Sequence, residues 1–239
     1  MGPIMLLQDF FQKLALSPVG DLSVGGESTG TLPTQSYPRM VSHLNLALTD
    51  LHTRLPLRKE VLSIVALSSR NRYPLQRQHA LTSGSAEPDK FIIDSASKPF
   101  LGDVLGIEAI HDADHCPLNL NVLGDRFGWH TVSFDTLTMG YPVTGETYFV
   151  QYRQRHPHIL PNADPETTEI QIPPSLEAAL VYYTGYCVFG AMTADSASMK
   201  ANELMNLYER ALLQVTEANV TNTSITDVRE QRFHRDGWV

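Results

Sequence analysis

The sequence predicts an α+β fold: a helical bundle drawn from both chain ends, a central inserted β-domain and an extended C-terminal tail. Three observations carry this. Apolar residues recur at steps of three and four up to about residue 58 and again after residue 173. Between those limits the period falls toward two, in short runs separated by turn clusters. No segment repeats another, so the order is helices, strands, helices. The expected division is 1–58 with 173–219 as the bundle, 59–172 as the β-rich domain and 220–239 as the tail.

The elements follow in order. Ile4 to about Ala15 reads as a short helix, with Met5, Phe10, Phe11 and Leu14 around Gln8 and Asp9. Gly20 to Thr34, with Gly20, Gly25, Gly26 and Gly30 among Ser and Thr, reads as a long loop of open backbone. A second helix spans about Gln35 to Arg54, since Met40, Leu44, Leu48, Leu51 and Leu55 share one face, and Pro56 stops it. Strands are expected at Val61 to Leu67, Lys90 to Asp94, Val104 to His111, Leu118 to Asn121, Thr131 to Met139 and Tyr148 to Arg153. Leu118-Asn119-Leu120-Asn121 alternates most cleanly, and Gly140-Tyr141-Pro142 and Val143-Thr144-Gly145-Glu146 supply turn chemistry.

Thr167 to Ile172 reads as a last strand, and Pro173-Pro174-Ser175 ends it and opens a helix from Leu176 to Ala191. That helix is apolar nearly all round, so it needs cover on several sides, from its own chain or from a neighbouring subunit. The subunit-interface candidates are Tyr182, Tyr183, Val188 and Phe189. The final helix, about Asp195 to Ala218, is amphipathic: Ala201, Leu204, Met205, Tyr208, Leu212 and Val215 form its stripe. It runs into a polar tail closing on Phe233-His234-Arg235-Asp236-Gly237-Trp238-Val239, which holds one of only two tryptophans. Phe233 and Trp238, set among Arg229, Arg232 and Arg235, have the composition of a segment that docks on a partner.

With 239 residues, 42% of them hydrophobic, the chain can bury a substantial core. Its net charge of −8 argues against broad binding to nucleic acid or anionic membranes. No run of 18 apolar residues occurs, and the start, Met1-Gly2-Pro3-Ile4, has neither a basic stretch nor a small-residue cleavage site, so no membrane span and no signal peptide are expected. Two cysteines, Cys116 and Cys187, make no disulfide framework.

Candidate chemistry is sparse. His111-Asp112-Ala113-Asp114-His115-Cys116 carries metal-ligating residue types, with His156 and His158 further on. Yet the flanks read as strands, where His111 and His115 do not converge, and Asp-Ala-Asp-His between strands has the composition of an exposed turn. There is no Gly-x-Ser-x-Gly and no phosphate-cradling loop, because Gly25-Gly26-Glu27-Ser28-Thr29-Gly30 lacks the following Lys-Ser/Thr. Tyr37-Pro38-Arg39 and Arg70-Asn71-Arg72-Tyr73 have aromatic and basic character, but neither forms a long patch. The reading is of a chain that is no enzyme and holds no cofactor and no metal.

One resemblance covers nearly the whole chain, in order and pattern rather than in a single motif. It comprises the starting helix, Val24-Gly25-Gly26-Glu27, and the stretch Tyr37 to Arg54 with Asn45, Leu48, Leu51 and His52. The β insertion follows, then Ile172-Pro173-Pro174-Ser175-Leu176-Glu177-Ala178-Ala179-Leu180 before a tyrosine-rich helix, and the Arg232-Phe233…Gly237-Trp238-Val239 terminus. Together these resemble the head-to-tail adaptor proteins of short-tailed bacteriophages, the group that includes tail tubular protein A. The resemblance implies a structural virion protein made in the host cytoplasm. It would form a ring, usually of twelve subunits, joining the portal to the tail and lining part of the conduit for DNA ejection. Arg229, Arg232, Phe233, Arg235 and Trp238 would then dock on the portal, and the β insertion would face a tail nozzle, tube or fibre protein. The insertion is larger than in the smaller members. Two other readings stand beside this one: a metal-dependent enzyme or binding protein using His111 to Cys116, and a distal tail or fibre-attachment module built on the β region.

Overall fold

The computed structural model describes residues 5–17, 32–85 and 90–218. Among these it is a mixed α/β structure with four α-helices and three antiparallel sheets. It separates into two compact units, one formed by Met1–Leu57 with His156–Val239 and the other by Arg58–Arg155.

In the first unit a two-residue strand, β1 (Met5–Leu6), precedes α1 (Leu7–Ala15), so the helix begins later than its apolar pattern suggests. Leu7, Phe10, Phe11 and Leu14 fall at helical spacing and all are buried. Helix α2 (Tyr37–Arg54) has Pro38 in its first turn, where a missing N–H costs no hydrogen bond. It ends because Leu55 turns extended ahead of Pro56. Its buried face is the expected one, with Met40, Leu44, Leu48 and Leu51 joined by Val41 and Ala47. Helix α3 (Glu177–Gly190) follows a single 3-10 turn at Pro174–Leu176, and α4 runs Asp195–Glu217. α3 packs along α4 and against α2 and α1.

Residues 156–172 belong to this helical unit, whereas their sequence reads as the end of the β region. The reason is specific. The Asn45 side-chain amide donates to the Ile159 carbonyl at 2.8 Å, and its oxygen accepts the Ile159 N–H at 3.0 Å, pinning that segment to α2. Ile159, Ile170 and Ile172 then sink into the helical core. The strand expected at Thr167 to Ile172 shortens to Glu169–Ile170 and pairs with β1 (Met5↔Ile170).

In the second unit, β2 (Lys59–Val65), β4 (Ile92–Ile93), β5 (Val104–His111) and β8 (Thr147–Gln154) form one sheet in the order β4-β2-β8-β5. β8 shows the cleanest alternation: Tyr148, Val150 and Tyr152 are buried, while Phe149, Gln151 and Arg153 are only partly covered. A second sheet, β3-β7-β6, uses Arg72–Pro74, Thr136–Met139 and Trp129–Ser133. Trp129 joins the two sheets, with its ring 5.4 Å from Tyr73 and 5.0 Å from Tyr148. The remaining strand, β9 (Glu169–Ile170), belongs to neither of these sheets and pairs with β1 in the first unit.

Two strand expectations change. The run Thr131 to Met139 is a hairpin that turns at Phe134-Asp135, where Asp135 accepts from the Ser133 and Thr136 hydroxyls at 2.7 and 2.9 Å. Leu118 to Asn121 makes isolated bridges and no strand, because Leu118 binds back to Ile110 and Leu120 pairs singly with Trp129. The glycine loop from Gly20 to Thr34 lies almost wholly outside the described residues.

Candidate functional site

Helix α3 is the first expected site. Val188 is fully buried and Phe189 is 6% exposed, both within the chain's own hydrophobic core. Helix α3 packs on α1, α2 and α4, so the chain itself covers these two side chains. Tyr182 and Tyr183 are half-buried, as is Tyr186 one turn further on. Tyr183 packs edge-on against Tyr186 and Tyr208, with ring centroids 5.7 and 4.9 Å away. Large apolar side chains are exposed on α4 instead, at Met199 (75%) and Leu213 (58%). They stand about four turns apart on the same side of the helix.

The docking residues Arg229, Arg232, Phe233, Arg235 and Trp238 lie outside the described residues. The other basic candidates do not cluster. The Arg70 guanidinium sits over the Phe91 ring at 5.2 Å, Arg72 is exposed on β3, and Arg77 opens a 3-10 turn.

The His111 to Cys116 segment is a tight reversal at the end of β5. Asp112 Oδ1 accepts the backbone N–H groups of Asp114 and Cys116 at 3.0 and 2.8 Å, and Asp112 N–H donates to the Cys116 carbonyl at 3.0 Å. His115 takes positive φ (61°), and its ring stacks on Phe149 at 4.4 Å. His156 is buried in the helical unit beside His52, and His158 is exposed. Among the described residues no three His, Cys, Asp or Glu side chains converge as metal ligands would.

That reversal forms one wall of a cleft of about 550 Å³ in the β unit. Asp112 and Asp114 lie on the reversal, Asp125 and Phe127 on the loop before β6, and Glu146 before β8, with Trp129 and Tyr148 also lining the space. Asp125 Oδ1 accepts the N–H groups of Phe127 (3.0 Å) and Gly128 (2.9 Å). The Phe127 N–H, foremost among these contacts, holds the Asp125 carboxyl below its ordinary value, so it is ionised at neutral pH. The Tyr148 hydroxyl donates to Glu146. Burial first, then the Glu146 bond and charge, raise the Tyr148 phenol and keep it protonated. Phe127 packs at a tilt of 33° against Tyr141, centroids 5.1 Å apart.

No motif marks Asp125 or Phe127. The signal is the Gly124-Asp125-…-Gly128 spacing, with Gly124 at φ 86° and Asp125 closing the turn through its side chain. The described residues include no helix long and apolar enough to cross a membrane. The sequence matches no protein-family model and no curated protein.

Proposed function

We propose that the chain is a head-to-tail adaptor of a short-tailed phage: a non-enzymatic ring protein joining the portal to the tail, with DNA passing through its lumen. The observation that carries this reading is the order of elements. Helices α1 and α2 before the β unit, and α3 and α4 after it, combine in one core, so the β unit reads as an insertion into a bundle. That is the arrangement the resemblance implies. α4 then leads from the core toward a segment rich in arginine and aromatic residues, suited to docking on another ring.

The ring contact is proposed at the outer side of α4, through Met199 and Leu213, and at the half-covered tyrosines Tyr182 and Tyr186 of α3. The charge supports passive conduction: twelve copies at −8 each would carry roughly −100, so the assembly offers duplex DNA few cations to displace its counterions.

The test is assembly. Light scattering of the purified chain, alone and mixed with portal rings, should show a ring and its joining to the portal. Deleting Arg229 to Val239 should abolish that joining and leave the circular dichroism unchanged, since the described core closes at Val215. A truncated chain that unfolds, or one that still joins the portal, would overturn the docking role.

A further inference from the structure

We infer that the cleft of the β unit binds a cationic side chain, arginine or lysine, presented by an exposed segment of a partner protein. This inference stands on the cleft alone and does not need the adaptor reading. Four carboxylates border the space, Asp112, Asp114, Asp125 and Glu146, and no lysine or arginine is among the described residues that line it. Most of its donors are already used within the chain, and an exception is the buried indole N–H of Trp129, which lines the space and has no partner among the described residues. The Asn119 amide faces Asp125, the Tyr148 hydroxyl binds Glu146, and the Gly128 N–H binds Asp125. The cleft therefore offers mainly acceptors beside a free indole donor, and a matching ligand has to bring donors and positive charge together with an acceptor such as a peptide carbonyl.

Two further observations narrow the ligand. The carboxylates do not converge on one point in the way a metal ion requires, so they suit a charge carried on an extended chain. One edge is aromatic: Phe127, which lines the cleft, is 71% exposed, and Tyr141, packed against it at a tilt of 33°, is 61% exposed, so both rings present open faces to solvent. A guanidinium or ammonium lies favourably on such faces while its N–H groups reach carboxylates. A protein partner with a basic loop supplies both, and the net −8 of this chain attracts it from a distance.

The test uses the full chain with Trp238→Phe, which leaves Trp129, at the cleft, as the only indole. A capped Gly-Arg-Gly-Arg-Gly peptide is titrated while tryptophan emission is followed, and calorimetry repeats the titration. The expected result is saturable binding that weakens with added salt and falls roughly twofold to fivefold in Asp114→Asn, whose carboxylate is exposed. Asp114→Asn with Glu146→Gln should weaken it further, and both variants should keep the circular dichroism of the parent, because a glutamine at 146 still accepts from Tyr148. The inference is overturned if the peptide does not bind, or if it binds equally to the double variant. Saturation by calcium chloride or by a neutral oligosaccharide, without a response to the arginine peptide, overturns it equally.

Discussion

The hydroxyl of Tyr208 on α4 donates a hydrogen bond to the carboxylate of Asp50 on α2, joining two helices 158 residues apart in sequence. Arg54 completes the group, with Nε 2.8 Å from Asp50, one guanidinium nitrogen 2.8 Å from Glu209, and its carbon 5.5 Å from the centre of the Tyr208 ring. The tyrosine itself is fully buried, so its only polar atom is met by a charged acceptor at the edge of the core. Tyr208→Phe keeps the ring and removes the bond. It should cost about 1–2 kcal/mol in urea melts, with helical content unchanged. A variant as stable as the parent would show that water replaces Asp50 without loss.

The two thiols should separate sharply in reactivity. Burial foremost, then the nearby Asp50 charge, push the Cys187 thiol up to about 11, while Cys116 is exposed on its turn. Only the thiolate attacks an alkylating reagent, so at about pH 8 iodoacetamide should modify Cys116 and leave Cys187 until the chain is unfolded. Mass spectrometry of a timed reaction reads this directly. Equal labelling of both thiols in the native state would mean that the α3 surface around Cys187 opens readily.

Much of the helical unit is legible in the sequence, and the reason is periodicity. Met40, Leu44, Leu48 and Leu51 repeat at helical steps over about three turns, Pro38 and Pro56 bracket them, and the structure has that helix at Tyr37–Arg54. α3 shows where the signal runs out. Its composition says that it must be covered on several sides, yet Val188 and Phe189 carry no mark of whether the cover is α4 or another subunit. The β hairpin is less legible still, because Phe134-Asp135 lacks the Asn-Gly or Gly-x signature of a tight turn and the run reads through it. The cleft is least legible. Asp112, Asp125 and Glu146 come from three loops whose meeting depends on strand pairing, which no local pattern encodes.

Asp94 gives the β unit an acid-sensitive point. Burial alone would raise its carboxyl, but the Thr82 hydroxyl and the N–H groups of Phe100 (3.0 Å) and Thr82 (2.9 Å) outweigh burial and lower it below the ordinary 3.8. A folded value below the unfolded one means that the contribution is present above about pH 4 and disappears as pH falls through the folded value. Asp94→Asn should therefore destabilise the chain at about pH 7 and differ less from the parent at about pH 3. Urea melts at the two pH values test it, and an equal deficit at both would assign the loss to shape rather than charge.

Gly140 allows two segments at the cleft rim to pass closely. A Cβ built there would lie 2.4 Å from the Arg126 carbonyl oxygen, a backbone atom that cannot swing aside. Gly140→Ala should push apart the loop bearing Phe127 and the segment bearing Tyr141, at a cost of roughly 1–3 kcal/mol. The arginine-peptide titration should lose affinity in the same variant, because the Phe127–Tyr141 pair would open. Unchanged stability would mean that the backbone relaxes there freely.

A pair of charge insertions separates internal burial from assembly. Val188 is fully buried against the chain's own helices, so Val188→Glu places an unpaired carboxylate in the core at a cost on the order of several kcal/mol, and the chain should lose its cooperative unfolding transition. Leu213 is 58% exposed on the outer side of α4, so Leu213→Glu meets water and should leave the isolated fold intact. In an assembled ring the same position would be covered, and the glutamate would then be trapped against a neighbour. The expected outcome is a folded Leu213→Glu chain that stays monomeric by light scattering where the parent forms rings. Rings that form normally with Leu213→Glu would move the subunit contact off α4, and a folded Val188→Glu chain would mean that α3 has another covering surface.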